Sequence, residues 1–359
     1  MSSQAVILVI LIGVPTLLRV AGFAEPVAAI VAAAAALWIV APPRAGLADP
    51  IDFARIIDET LIVVVVAAVI GALVAGCQSA PRPRHPLGWY AAGDAAFIGA
   101  LLVAVVLGAI SFATSVAAGL TAALLIGTVL WLVTTGVGAL VGRARAAKEA
   151  PSALRALGIG LFALASIGFL VVPAISLGVL TPSEAFTFFG LPIALIFRLV
   201  VALILERGIA GYGIDLLRGV ADAAWIVLAV LAAGIAALAL RLAGGDAALP
   251  ALPPVTAAIA FAAAILLLGV LVGATYGALL AAAIFAPLLT AADVPAGTSA
   301  LIFLPALMLS YARPTLGLTL LAPAFGGAAR RISAAEAAAI AAGVVVVFAV
   351  AAFMAASSA

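Results

Sequence analysis

Charge is what this 359-residue sequence has least of. Asp, Glu, Lys and Arg together make up 8% of it, where a soluble domain carries about 25%, so a water-soluble fold could not cover the surface this chain would expose. It has one cysteine, Cys77, and one histidine, His85, which excludes a disulfide framework or a Cys/His metal cluster built from this chain alone. Paired carboxylates at a catalytic spacing, a nucleophile beside a general base and a phosphate-binding glycine loop are also missing, so the residues point away from an enzyme. The formal net charge is only +2, from 16 basic and 14 acidic residues. The basic residues fall in short connections between apolar runs, where they act as a topology signal and not as a nucleic-acid footprint.

What is abundant is apolar. Hydrophobic residues make up 68% of the chain, and splitting it at Pro, Gly and charge clusters gives about twelve apolar segments. They lie near 4–22, 24–41, 59–77, 93–112, 115–141, 157–178, 185–205, 219–241, 254–274, 276–291, 299–322 and 334–356. Runs of this length match the roughly 20 residues that cross a hydrocarbon core of about 30 Å. They are too long for barrel strands, and lipid offers the backbone no partners. The fold expected is all-α and polytopic, with about 10–12 transmembrane segments. No connection is long enough for a soluble domain. Met1-Ser2-Ser3-Gln4 leads straight into apolar residues without a basic n-region, so the first segment is expected to be a retained span.

The arginines set an orientation. Arg82 and Arg84, then Arg143, Arg145, Lys148 and Arg155, then a loop with Arg207 and Arg218, then Arg330 and Arg331 fall on one side if segments alternate. By the positive-inside rule that side is cytoplasmic, and both termini face outward.

Two regions are irregular, and irregular backbone at membrane depth is where transporters keep their sites. In Gly108-Ala-Ile-Ser-Phe-Ala-Thr-Ser-Val-Ala-Ala-Gly119, Ser111, Thr114 and Ser115 sit between glycines. They form either a tip that offers oxygens to a cation, or a helix whose hydroxyls bond back to the preceding turn. In Ser310-Tyr-Ala-Arg-Pro-Thr-Leu-Gly-Leu-Thr319, Pro314 removes a donor and Gly317 loosens the backbone. Arg313 beside that break either serves function, as costly intramembrane charges often do, or snorkels to an interface. Glu184, after Thr181-Pro182-Ser183, reads as a helix N-terminal cap. Arg19 and Arg198 could pair with an acid or reach a surface, and Asp94 and Asp222 near segment ends read as solvated or capping groups.

Several of these motifs, in order, resemble the large membrane subunit of the tripartite ATP-independent periplasmic (TRAP) transporters. Ile10-Leu-Ile-Gly-Val-Pro15 resembles the family's first helix, and Gly108-Ala-Ile-Ser111 the start of its first hairpin. Leu177-Gly-Val-Leu-Thr-Pro-Ser-Glu-Ala185 is similar to its turn into Thr-Pro-Thr-Glu-Ala. Leu268-Gly-Val-Leu271 with Phe285-Ala-Pro-Leu-Leu289 resembles the second hairpin, and Arg313-Pro-Thr-Leu-Gly317 sits where the family has Thr-Pro-Pro-Val-Gly. The resemblance implies an inverted-repeat, elevator-type fold with re-entrant hairpins and broken helices. It divides the single membrane unit into scaffold-like helices at 1–92, a first hairpin repeat at 93–180, linking helices at 181–253 and a second hairpin repeat at 254–359.

It also implies sodium as coupling ion in a symport, an organic acid as substrate, a periplasmic substrate-binding protein, a small four-helix membrane subunit as partner, and a bacterial inner membrane location. Carried over by motif, Arg313, Thr315 and Ser115 would bind substrate, and Ser111, Thr114, Pro314 and Gly317 the ion; Thr181 and Glu184 would cap a helix. The chain departs from the pattern at Phe112-Ala113 and at Thr315. Between Gly119 and Arg143 it has no counterpart of the family's Pro-Pro-Ser helix. These departures keep open a second expectation, a scaffold or accessory subunit that kept the fold and lost the ion sites.

Overall fold

The computed structural model describes residues 3–40, 208–244, 252–312 and 334–358, with isolated helical positions between 107 and 137. Every regular element among them is a helix: α1 (Ser3–Val20), α2 (Glu25–Val40), α3 (Gly208–Leu242), α4 (Pro254–Leu271), α5 (Ala274–Ala291), α6 (Ala296–Ala312) and α7 (Ala334–Ser358). Among the described residues, five stretches are long and apolar enough to cross a bilayer: Ser3–Val20, Ala224–Leu242, Pro254–Leu271, Ala274–Ala291 and Ala337–Ser358. Glu25–Val40 and Ala296–Ser310 are shorter apolar helices. Large side chains face outward along them: Val9 and Leu17 on α1, Trp38 on α2, Leu267 on α4, Val345 and Phe353 on α7. Such a surface suits lipid and not water, as a multi-pass membrane protein requires.

The limits of α1, α2, α4, α5 and α7 lie within a few residues of the apolar segments read from sequence, the segment expected at 299–322 starts at Ala296 and is described to Ala312, and the segments expected between 59 and 205 lie wholly or mostly outside the described residues. The segment expected at 219–241 belongs to a helix of 35 residues that starts at Gly208. Arg218 is therefore helical and not in a loop, and Asp222 lies well inside the helix instead of near its end. Hydropathy marks where lipid contact is favourable. A helix continues through Arg218 and Asp222 because its backbone bonds do not depend on side-chain polarity.

By its internal contacts the chain divides into two compact units, Met1–Leu61 with Trp225–Arg331 and Phe348–Ala359, and Ile62–Ala224 with Ile332–Val347. Of the second unit, the described residues include buried Leu107 and Leu130, and Thr134, whose hydroxyl donates to the Leu130 carbonyl at 2.8 Å.

Within the first unit, α1 and α2 form one helical hairpin and α4 and α5 another, with α6 packed on both members of the second. Lipid gives no hydrophobic drive between helices, so close packing must hold them. Ala28, Ala29, Ala32, Ala33 and Ala36 are buried along α2, and Ala257, Ala258, Ala262, Ala278 and Ala281 along α4 and α5. Phe261 of α4 is fully buried, 6.0 Å from Phe285 of α5 and 6.5 Å from Phe303 of α6 between ring centroids. These rings join the three helices at their middle.

Each turn is closed in a way the sequence explains. At the end of α1, Gly22 (φ 93°) lets its N–H reach the Arg19 carbonyl and the Phe23 N–H reach that of Leu18, both at 3.0 Å. This is the Schellman pattern, which needs a left-handed residue at that place. The end of α5 repeats it with Asp293 (φ 55°): its N–H reaches Thr290 and the Val294 N–H reaches Leu289. Between α4 and α5 only Val272 and Gly273 are non-helical.

Candidate functional site

A two-residue break between apolar helices leaves carbonyls without partners at the end of the first and amides without partners at the start of the second. At Val272-Gly273 the backbone repairs part of this: the Val272 N–H bonds the Leu268 carbonyl at 2.8 Å and the Gly277 N–H bonds that of Gly273 at 2.8 Å. Two charged side chains complete it. Arg19, at the last turn of α1, donates from Nη1 to the carbonyls of Val270 at 3.1 Å and Leu271 at 2.9 Å. Glu25, the first residue of α2, accepts from the backbone N–H groups of Ala274, Thr275 and Tyr276 and attracts the Arg19 guanidinium. A cation therefore meets the negative end of α4 and an anion the positive end of α5, the arrangement helix dipoles favour.

Burial makes the arrangement binding. Arg19 is 9% exposed, and a charge away from water must be paired and hydrogen-bonded to be tolerated. Gly273 supplies the space. Its φ of 119° suits glycine alone, and the Glu25 carboxyl fills the point where a Cβ on residue 273 would stand. Tyr276, one turn into α5 and fully buried, sends its hydroxyl to the Leu11 carbonyl of α1 at 3.3 Å. The α1–α2 hairpin thus grips both sides of the α4–α5 turn.

The hairpin itself is tight. A Cβ on Gly277 would come within 2.5 Å of the Leu268 carbonyl group, and one on Gly269 within 2.8 Å of Ser310 Oγ. Ser310 bonds its own helix, donating to Ala306 at 3.0 Å. The start of the irregular Ser310–Thr319 motif consequently packs one residue before the carbonyls that Arg19 holds.

Of the residues singled out from sequence, Ser111 is helical and half-buried, and the helical positions Gly108 and Phe112 near it are buried. Thr114, Ser115, Thr181, Glu184, Arg313, Pro314, Thr315 and Gly317 lie outside the described residues; α6 is described to Ala312. The structure resolves the alternatives for Arg19 in favour of capping carbonyls near a carboxylate. Glu25 and Gly273 were missed. Their signals were present: an acid opening an apolar run is a first-turn carboxylate, and a glycine between two apolar runs marks a turn. What sequence could not supply was that the two meet.

Among the described residues no three His, Cys, Asp or Glu gather as a metal site. Comparison with protein-family models and with curated proteins finds no match to the chain.

Proposed function

We propose that the protein is the large membrane subunit of a TRAP-type secondary transporter, taking up an organic acid together with sodium and receiving it from a periplasmic binding protein, with a small four-helix membrane subunit as partner. The observation that carries this reading is the α4–α5 hairpin. The stretch that resembles the family's second hairpin, Leu268-Gly-Val-Leu271 followed by Phe285-Ala-Pro-Leu-Leu289, consists of two 18-residue helices that fold back on each other across two residues. The Ser310 end of the next motif packs against it at Gly269. Apolar helices interrupted at a glycine within the membrane are a recurring building element of secondary transporters.

In this reading Arg313 attracts the substrate carboxylate, with Thr315 and Ser115 beside it, while Ser111, Thr114 and the backbone around Pro314 and Gly317 offer oxygens to sodium, a hard cation. The test is uptake into proteoliposomes containing the chain, its small subunit and its binding protein. An inward sodium gradient is expected to drive accumulation of the organic acid that the binding protein carries. Equal uptake with a choline gradient would rule out sodium coupling, and no uptake under any gradient would sink the transporter reading. The latter result would favour an accessory subunit that kept the fold, the reading to which the absent Pro-Pro-Ser helix also points.

A further inference from the structure

A break between helices inside a membrane protein is an electrostatic vacancy, since the carbonyl end calls for a cation and the amide end for an anion. In this chain both are met from one short piece of sequence. Arg19 and Glu25 flank the α1–α2 turn, so a single rigid hairpin delivers a guanidinium to Val270 and Leu271 and a carboxylate to Ala274, Thr275 and Tyr276. Gly273 leaves the room the carboxylate occupies.

We propose that the α4–α5 turn carries its own ions: Arg19 stands where an external cation would bind and Glu25 where an external carboxylate would bind, so neither sodium nor an organic acid binds at this turn. Tethering is the physical reason. A charge held on the same fold competes at an effective concentration in the millimolar range or above, and its ordering has already occurred on folding. The guanidinium also cannot lose its charge, so the cation position stays filled. An external cation would have to displace the nearly buried Arg19 from two backbone carbonyls, and an external anion the half-buried Glu25 carboxylate from the amides that donate to it. The consequence for coupling rests on the transporter reading: the coupling ion and substrate of this chain are held elsewhere, and the α4–α5 turn is a fixed part of the machinery. The occupancy itself does not depend on that reading.

The test is backbone hydrogen exchange of the full chain in detergent, read at residues 274–276. These first-turn amides lie ahead of the helix's own i→i−4 ladder and donate to the Glu25 carboxylate, whereas the Gly277 amide, bonded to Gly273, serves as internal control. In the natural protein, replacing choline chloride by sodium chloride or adding succinate is expected to leave their exchange unchanged. Glu25→Ala is expected to speed exchange at 274–276 at least about tenfold relative to Gly277, and excess acetate to restore protection to that variant alone. Glu25→Gln, which keeps one acceptor oxygen, should fall between the two and serves if the alanine variant does not fold.

Slower exchange at 274–276 in the natural protein on adding sodium or succinate would overturn the proposal, because an external ion would then be reaching the turn. Unchanged rates in Glu25→Ala, or no recovery with acetate, would overturn it equally. None of these readouts needs transport, so a failed uptake experiment sinks the transporter reading and leaves this one standing.

Discussion

At the scale of single residues the first unit turns on Arg19, Glu25 and Gly273. Arg19 is nearly buried and holds the Val270 and Leu271 carbonyls, and a buried polar group left unsatisfied costs about 1–3 kcal/mol. Arg19→Met, which keeps the apolar bulk, is therefore expected to lower the unfolding temperature sharply in detergent. Arg19→Met combined with Glu25→Gln should cost less than the sum of the single changes, with a coupling of about 0.5–3 kcal/mol. Strict additivity in that cycle would mean the two side chains act independently. Gly273→Ala tests the space between them. Holding a non-glycine residue in a sparsely populated backbone region costs about 1–3 kcal/mol, and the added methyl would displace the Glu25 carboxyl. The variant should therefore speed exchange of the Ala274–Tyr276 amides as well as destabilise the protein. A loss of stability without that change in exchange would leave strain as the whole cause. The converse case is Asp293, exposed and left-handed at the end of α5. There glycine fits better than any L side chain, so Asp293→Gly is expected to raise stability by about 0.5–1 kcal/mol, seen as a higher unfolding temperature.

At the scale of elements, the close approach of α4 and α5 rests on Gly277, whose missing side chain lets the backbone of α5 meet that of Leu268. The neighbour is backbone and cannot rotate away, so Gly277→Ala should push the helices apart at a cost of about 1–3 kcal/mol. A cysteine-reactive probe placed at Leu268 in a Cys77→Ala background should label faster in that variant; unchanged labelling would mean the hairpin absorbs the methyl. Helices were the part of this structure most legible in the sequence, because length and apolarity alone decide what can cross a bilayer. The break expected between the segments ending at 274 and starting at 276 lies within two residues of the observed turn at Val272-Gly273. The extent of α3 was not readable: Arg218 and Asp222 end an apolar run without ending a helix. Nor was the meeting of Glu25 with Gly273, about 250 residues apart in sequence. Periodicity carries information about the face of one helix, whereas that contact depends on which hairpins pack together.

For the whole molecule, the question is where a coupling ion could act. Arg19 and Glu25 satisfy the α4–α5 turn from within, and in the proposed transporter reading sodium is assigned to the oxygen-bearing stretches around Ser111–Ser115 and Pro314–Gly317. A ligand that binds only the folded state stabilises it by about 2.7 kcal/mol at one hundred times its dissociation constant. Sodium is thus expected to raise the unfolding temperature of the purified chain to a plateau, with choline chloride holding ionic strength constant. Thr315→Ala should shift that titration to higher sodium. Glu25→Gln, which weakens the α4–α5 turn, should lower the unfolding temperature at every concentration and leave the midpoint in place. A midpoint that moves in Glu25→Gln but not in Thr315→Ala would locate the ion at the turn instead, against the assignment to the Arg313–Gly317 stretch. Arg313→Ala then separates substrate from ion. If its guanidinium attracts the organic acid, uptake is abolished while the sodium-dependent rise in unfolding temperature persists; if both survive, Arg313 reaches an interface and the substrate carboxylate must be held by neutral donors.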